Sequence, residues 1–136
     1  MNKSEIAKSL DNAAFKAEAI NQISNQFDFT EEDAYEIQRL SIEERYARDE
    51  KFVGLKLGFT SYAKMEQMGV HDMIWGRLTN SMWLKNGDTL FMDQFIHPRA
   101  EPEIAFLLKK DLNREISLDE IPEYISACAP AIEIIN

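Results

Sequence analysis

The chain has 136 residues, 45% of them hydrophobic, enough for one compact core and too few to require two. Its 24 acidic residues outweigh 15 basic ones for a formal net charge of -9, which argues against a nucleic-acid backbone or an anionic membrane as the main partner. Cys128 is the only cysteine, so no intramolecular disulfide can form. With no secretory-type apolar start and no apolar run of membrane-spanning length, the sequence reads as a soluble, cytoplasmic protein.

The first predicted element is a helix capped by Ser4, with Ile6, Leu10, Ala13, Ala14 and Ala17 along a single apolar stripe. Thr30, followed by Glu31, Glu32 and Asp33, marks the start of a second helix that runs to about Arg48. Ala34, Tyr35, Ile37, Ile42 and Tyr46 form its apolar face.

The period then changes from helix to strand. In "KFVGLKLGFTS", Val53, Leu55, Leu57 and Phe59 point one way and Phe52, Gly54, Lys56 and Gly58 the other. Lys56 is therefore flanked on its own face by two glycines, whose missing side chains leave room for a pocket holding an ammonium group. The alternative is a lysine that snorkels from a half-buried strand. Ser61 is placed to cap a short helix that ends at Gly69. Met65, Met68, Met73 and Trp75 read most simply as core.

"NGD" at 86–88 signals a turn between strands, and Glu103 to Leu108 reads as a short buried strand. A helix from Ser117 or Asp119 to about Cys128 should precede a last strand from Ala131. That strand stops at Asn136 without a turn, cap or polar tail, an ending that suggests a fragment.

Glu101 and Glu103 share one strand face, with alpha carbons roughly 7 Å apart, so their carboxylates can aim at one point. Glu133 is a third carboxylate among apolar neighbours, where an ionised group needs a partner. Three carboxylates are a hard-oxygen set suited to Mg²⁺ or Mn²⁺. The competing reading pairs Glu101 and Glu103 with Arg99 or Lys109 as ordinary strand charges. Ser61 and Lys64 fit Ser-x-x-Lys, but neither Ser-Asp-Asn nor Lys-Thr-Gly follows, so a serine nucleophile is not supported. His71 and His97 are isolated and read as loop or packing residues.

Three separated blocks, "GLKLGFTSYAKMEQMGVHDMIWGRLTNSM", "HPRAEPEIAFLL" and "APAIEIIN", resemble the hydratase and decarboxylase branch of the fumarylacetoacetate hydrolase superfamily in order and spacing. "AKMEQMGV" followed by "IWGRLT" is more similar to its decarboxylases of 2-oxo-3-hexenedioate type than to its 2-oxopent-4-enoate hydratases. The resemblance implies an α+β fold: an N-terminal helical and mixed sub-domain over 1–76, then the first strands of a β-roll over 77–136. It implies Glu101, Glu103 and Glu133 as ligands of Mg²⁺ or Mn²⁺, Lys56 as an active-site residue, and Thr60 and Ser61 as substrate contacts. It further implies a metal-dependent lyase acting on a small 2-oxo acid in aromatic meta-cleavage catabolism, either a decarboxylase or a hydratase. Homo-oligomers, or a complex with a sister hydratase or decarboxylase, are the implied assemblies, and a non-catalytic truncated partner is the rival. Family members are about twice as long, and Asn136 stands where they usually carry an aspartate.

Overall fold

The computed structural model describes residues 2–135. The backbone divides into two compact units, Met1–Gln94 and Phe95–Asn136. The first holds helices α1 (Lys3–Lys16), α2 (Glu31–Tyr46) and α3 (Tyr62–Met68), with strands β1 (Phe52–Gly58) and β2 (Ile74–Thr79). The second holds strand β3 (Arg99–Leu108), the one-turn helix α4 (Ile121–Tyr124) and strand β4 (Ile125–Ile135). Helices and two antiparallel two-stranded sheets make the chain α+β. The boundary expected near Gly76 falls inside β2, which is hydrogen-bonded to β1 within the first unit.

The core of the first unit lies between α1 and α2, where Ile6, Ala7 and Ile37 are buried and Ile23 and Leu40 pack against them. Helix α1 starts two residues earlier than a Ser4 cap would set it, because the Asn2 side chain accepts from the Glu5 amide. Its buried face is also rotated from the expected stripe. Ile6, Ala7, Asp11 and Ala13 are covered, while Leu10 and Ala14 are exposed. The cause is Asp11, only 3% exposed, which accepts from Arg48 Nη1 at 2.6 Å and Nη2 at 2.8 Å. A bidentate guanidinium pair offsets much of the cost of burying the carboxylate.

Arg45 lies 3.7 Å from the same acid and 3.4 Å from Glu50. Glu50 in turn accepts from the fully buried Thr79 hydroxyl at 2.5 Å and from Ser81. Burial alone would raise the Glu50 carboxyl, but the Ser81 and Thr79 hydroxyls and the Arg45 guanidinium outweigh it and hold the group below its ordinary value. One charged network thus ties α1 and α2 to the end of β2.

Helix α2 begins as expected. Asp33 N–H donates to the Thr30 hydroxyl at 3.2 Å, and Thr30 N–H donates back to the Asp33 carboxylate at 3.1 Å, a reciprocal cap. At its far end α2 stops at Tyr46, and Asp49 takes a left-handed conformation before β1. Met68 and Met73 are exposed, contrary to the expected core role. Gly69 closes α3 in the left-handed region.

In the second unit the sequence reading underestimated β3 and overestimated the following helix. Strand β3 begins at Arg99, and β4 begins at Ile125, where a helix was expected to continue to Cys128. The long-range pairing of Leu108 with Ile125 and Leu107 with Ala127 overrides a local helical pattern there. The Ser117 cap is present, with Glu120 returning to the Ser117 amide at 2.9 Å. The 86–88 turn forms, with Gly87 at φ 95° and Asp88 N–H donating to the Lys85 carbonyl, but no strand flanks it. Asn136 lies outside the described residues.

Candidate metal centre

Antiparallel pairing sets Glu101 directly opposite Glu133 and Glu103 opposite Ala131. Directly opposed residues share a face, and Glu103, two residues along, shares it too. The three glutamates each bring one carboxylate oxygen within 4.8 Å of the others. Ala105, Ala129 and Ala131 follow on this face toward one end of the ribbon, and the Arg99–Ile135 pair flanks the Glu101–Glu133 pair at the other. Pro102 and Pro130 fall in the alternate pairs, opposite Ile132 and Ile104. A proline there removes no ladder bond only if its nitrogen faces away from the partner strand, so the prolines and the carboxylates obey one consistent register.

The competing account of these charges fails on the contacts. Lys109 Nζ donates to the Pro122 carbonyl at 3.0 Å instead of meeting a glutamate. Among the described residues, neither the Glu101 nor the Glu103 side chain makes an ion pair or hydrogen bond. Glu101 and Glu103 therefore converge on a third carboxylate without an ion pair or hydrogen bond of their own among the described residues, an arrangement suited to an added positive charge. The donor set fits a hard divalent ion. Octahedral Mg²⁺ at about 2.1 Å from each oxygen places its ligands about 3 to 4 Å apart, so small side-chain rotations close the set. Neither histidine joins it: among the described residues these three glutamates are the one group of this kind.

Lys56, Thr60 and Ser61 belong to the first unit. Lys56 is half-buried on the face of the β1–β2 ribbon that also carries Gly54, Gly58, Gly76 and Leu78. The opposite face carries Trp75, whose ring is stacked on Tyr35 at 4.9 Å and covered by the Arg77 guanidinium at 4.8 Å. Gln38 Nε2 donates to the Trp75 carbonyl at 3.0 Å, so α2 backs the ribbon from the side away from Lys56. The pocket expected from the two flanking glycines is only half present. Nothing lies within 4 Å of a Cβ position at Gly54, but Ile74 occupies the space beside Gly58.

Phe59 takes φ 55°, an uncommon conformation for an aromatic residue, and turns the chain out of β1 into Thr60 and Ser61. Ser61 stands at the N-cap of α3 with no capping hydrogen bond from its side chain, and both Thr60 and Ser61 are exposed. The expected cap is thus present in position, while the hydroxyl is not used for it. Sequence reasoning missed Gln38 and the Asp11 network. Gln38 gives no signal beyond its place on α2; Asp11 does, four residues after Ala7 on the covered face of α1.

No family model matches the chain. A 4-oxalocrotonate decarboxylase of a Pseudomonas species is 47% identical along the whole chain, which spans 53% of that protein. A 2-hydroxypent-2,4-dienoate hydratase of Pseudomonas putida is 39% identical over 110 residues, 79% of this chain and 50% of that one. The fold matches a solved 4-oxalocrotonate decarboxylase from Pseudomonas putida G7, complexed with magnesium and adipate, with a TM-score of 0.92 and 33% identity over 98% of this chain and 52% of that one. The chain belongs to the hydratase and decarboxylase branch of the fumarylacetoacetate hydrolase superfamily. Within that branch it is homologous to 4-oxalocrotonate decarboxylases and spans about half the length of the curated relatives it matches.

Proposed function

We propose that the chain serves a divalent-metal-dependent lyase that decarboxylates a 2-oxo-enedioate of the 2-oxo-3-hexenedioate type, with Glu101, Glu103 and Glu133 holding Mg²⁺ or Mn²⁺. The convergence of three carboxylates within 4.8 Å, two of them without a side-chain partner among the described residues, carries this reading. It is supported by the similar decarboxylase that was solved with magnesium and adipate, a six-carbon dicarboxylate.

A divalent ion in that set supplies Lewis-acid polarisation to the oxygens of a 2-oxo carboxylate. The chain's own residues do the rest of the work assigned here. The three glutamates contribute up to three negative charges, enough to hold a dication while leaving positions for substrate oxygens. The bond to the far carboxylate breaks, CO₂ leaves, and its electron pair moves through the conjugated double bond to the keto oxygen. Protonation there gives a 2-hydroxydienoate. Lys56 supplies a cation for a substrate carboxylate or a proton donor, and the uncommitted hydroxyls of Thr60 and Ser61 serve as polar contacts. Association with further copies, or with a sister hydratase or decarboxylase, suits the exposed Ile104, Phe106 and Ile132 on the ribbon's other face.

The second reading is hydration of a 2-hydroxypenta-2,4-dienoate, favoured by the 39% identity to a hydratase. The two are separated by offering both substrates in Mg²⁺ or Mn²⁺ and recording CO₂ release against loss of diene absorbance. CO₂ from the enedioate alone supports decarboxylation, and diene loss without CO₂ supports hydration. Silence from both, with intact metal binding, would overturn the assignment of turnover to this chain and favour a non-catalytic partner.

A further inference from the structure

Glycine in a strand needs a reason, because it gives up side-chain packing and loses more freedom on folding than other residues. Gly76 lies in the middle of β2, and its backbone is not in the left-handed region, so no turn explains it. Its partner across the sheet is Lys56. A Cβ placed on Gly76 would sit 3.2 Å from Lys56 Cγ and 3.5 Å from Cδ. The aliphatic stem of Lys56 therefore lies across the backbone of β2, in the space a side chain at position 76 would take. The other two glycines on this face behave differently. Gly54 borders open space, and Gly58 is overlaid by Ile74, whose Cγ1 would meet a Cβ at 2.9 Å.

We propose that Gly76 is a positioning residue for Lys56: its missing side chain lets the lysine stem lie flat on β2 and so sets where the ammonium group is delivered. The strand beneath is itself held, since Gln38 grips the Trp75 carbonyl and Tyr35 stacks on the Trp75 ring. A methyl group at 76 would lift the stem at Cγ. The Nζ atom, three bonds farther out, would then move by more than the few tenths of an ångström demanded at the contact. The catalytic consequence rests on the role of Lys56 given above, whereas the positioning itself does not.

The test has a stability arm and a spectroscopic arm. Gly76→Ala should lower the melting temperature by on the order of 5 °C, as overpacking does. In a Lys56→Ala background, which lacks the Cγ and Cδ atoms, the same change should cost less than half as much. An equal cost in both backgrounds would overturn the proposal. If the single variant fails to fold, the double variant decides: a folded Lys56→Ala/Gly76→Ala chain supports it, and an unfolded one sinks it.

In the second arm, lysines are reductively methylated with ¹³C and the Lys56 resonance is assigned by its loss in Lys56→Arg. Gly76→Ala should shift that resonance, while Gly54→Ala, on the same face but in open space, should leave it unchanged. An unmoved Lys56 signal in Gly76→Ala overturns the proposal. Adding 2-oxoadipate to the methylated parent separates the two ideas. If Gly76→Ala moves the resonance and the 2-oxo acid does not, positioning stands and the substrate role of Lys56 falls.

Discussion

The two units use acidic residues in opposite ways. In the first, Asp11 and Glu50 are covered and met by Arg45, Arg48, Thr79 and Ser81, so every carboxylate oxygen in the network has a donor or a cation near it. In the second, Glu101 and Glu103 are gathered beside Glu133 on one strand face and have no side-chain partner among the described residues. All are carboxylates; what differs is that Asp11 and Glu50 meet cations and hydroxyls, while Glu101 and Glu103 meet no side chain among the described residues. A satisfied acid is a structural joint, and converging carboxylates such as Glu101 and Glu103, with no side-chain partner among the described residues, are suited to binding a cation. Removing an acid should therefore harm the first unit and relieve the second.

The largest effect expected is at the joint. Asp11→Ala leaves Arg48 and the better-covered Arg45 without their shared acid, and breaking a buried pair costs about 3 kcal/mol when one partner still reaches water. Urea unfolding of the two chains measures it directly. A loss below about 1 kcal/mol would show that the network is ornamental and that the contrast between the units is false.

Next comes the metal cluster. Excess Mg²⁺ or Mn²⁺ should raise the melting temperature of the parent, with about 2.7 kcal/mol of stabilisation at 100 times the dissociation constant. Glu103→Gln should abolish that response and, in EDTA, be no less stable than the parent, because a like-charge contact has been removed. A variant that is destabilised in EDTA and still responds to the metal would place Glu103 among the structural acids.

How much of this was legible in the sequence depends on whether the determinant was local. The Thr30 cap, the Gly69 stop and the alternation that puts Glu101 and Glu103 on one face are local, and each is present in the fold. The start of α1 was displaced because two polar residues, Asn2 and Ser4, compete for one cap and only geometry chooses between them. Asp11 was passed over because a count of apolar spacings has no place for an acid, although its partner Arg48 lies beyond the other helix. The early start of β4 and the opposition of Glu101 to Glu133 are matters of register between distant segments, as is the meeting of Lys56 with Gly76. Such register is set by turns and pairing energies that a single strand's pattern does not contain.

A smaller effect should follow pH. Glu50 is held below its ordinary value of 4.5, so its contribution is fully present above the unfolded value and disappears as pH falls through the folded one. Glu50→Gln should cost about 1.5 kcal/mol at pH 7, where charged hydrogen bonds are lost. The parent and the variant should then converge as the pH is lowered below 4.5. Melts of both chains from pH 7 to pH 3 give the difference curve. A gap that stays constant across that range would mean the hydroxyls of Thr79 and Ser81 do not depend on the Glu50 charge.

The smallest effect tests whether local satisfaction alone has the same character as the network. Thr30 and Asp33 close a reciprocal cap at the start of α2, on a surface open to solvent. Thr30→Ala removes the acceptor for the Asp33 amide, and water can replace it, so the loss should be about 1 kcal/mol, well below that for Asp11→Ala. Asp33 complicates the measurement, since it also pairs with Lys3 of α1 and is held below its ordinary value first by that contact and then by the Thr30 amide. Repeating Thr30→Ala in a Lys3→Ala background resolves it. Additive costs show that the cap acts on α2 alone. Coupling of more than about 0.5 kcal/mol would make the cap part of the α1–α2 junction, extending to the start of the helix the same use of acids that Asp11 and Glu50 serve at its end.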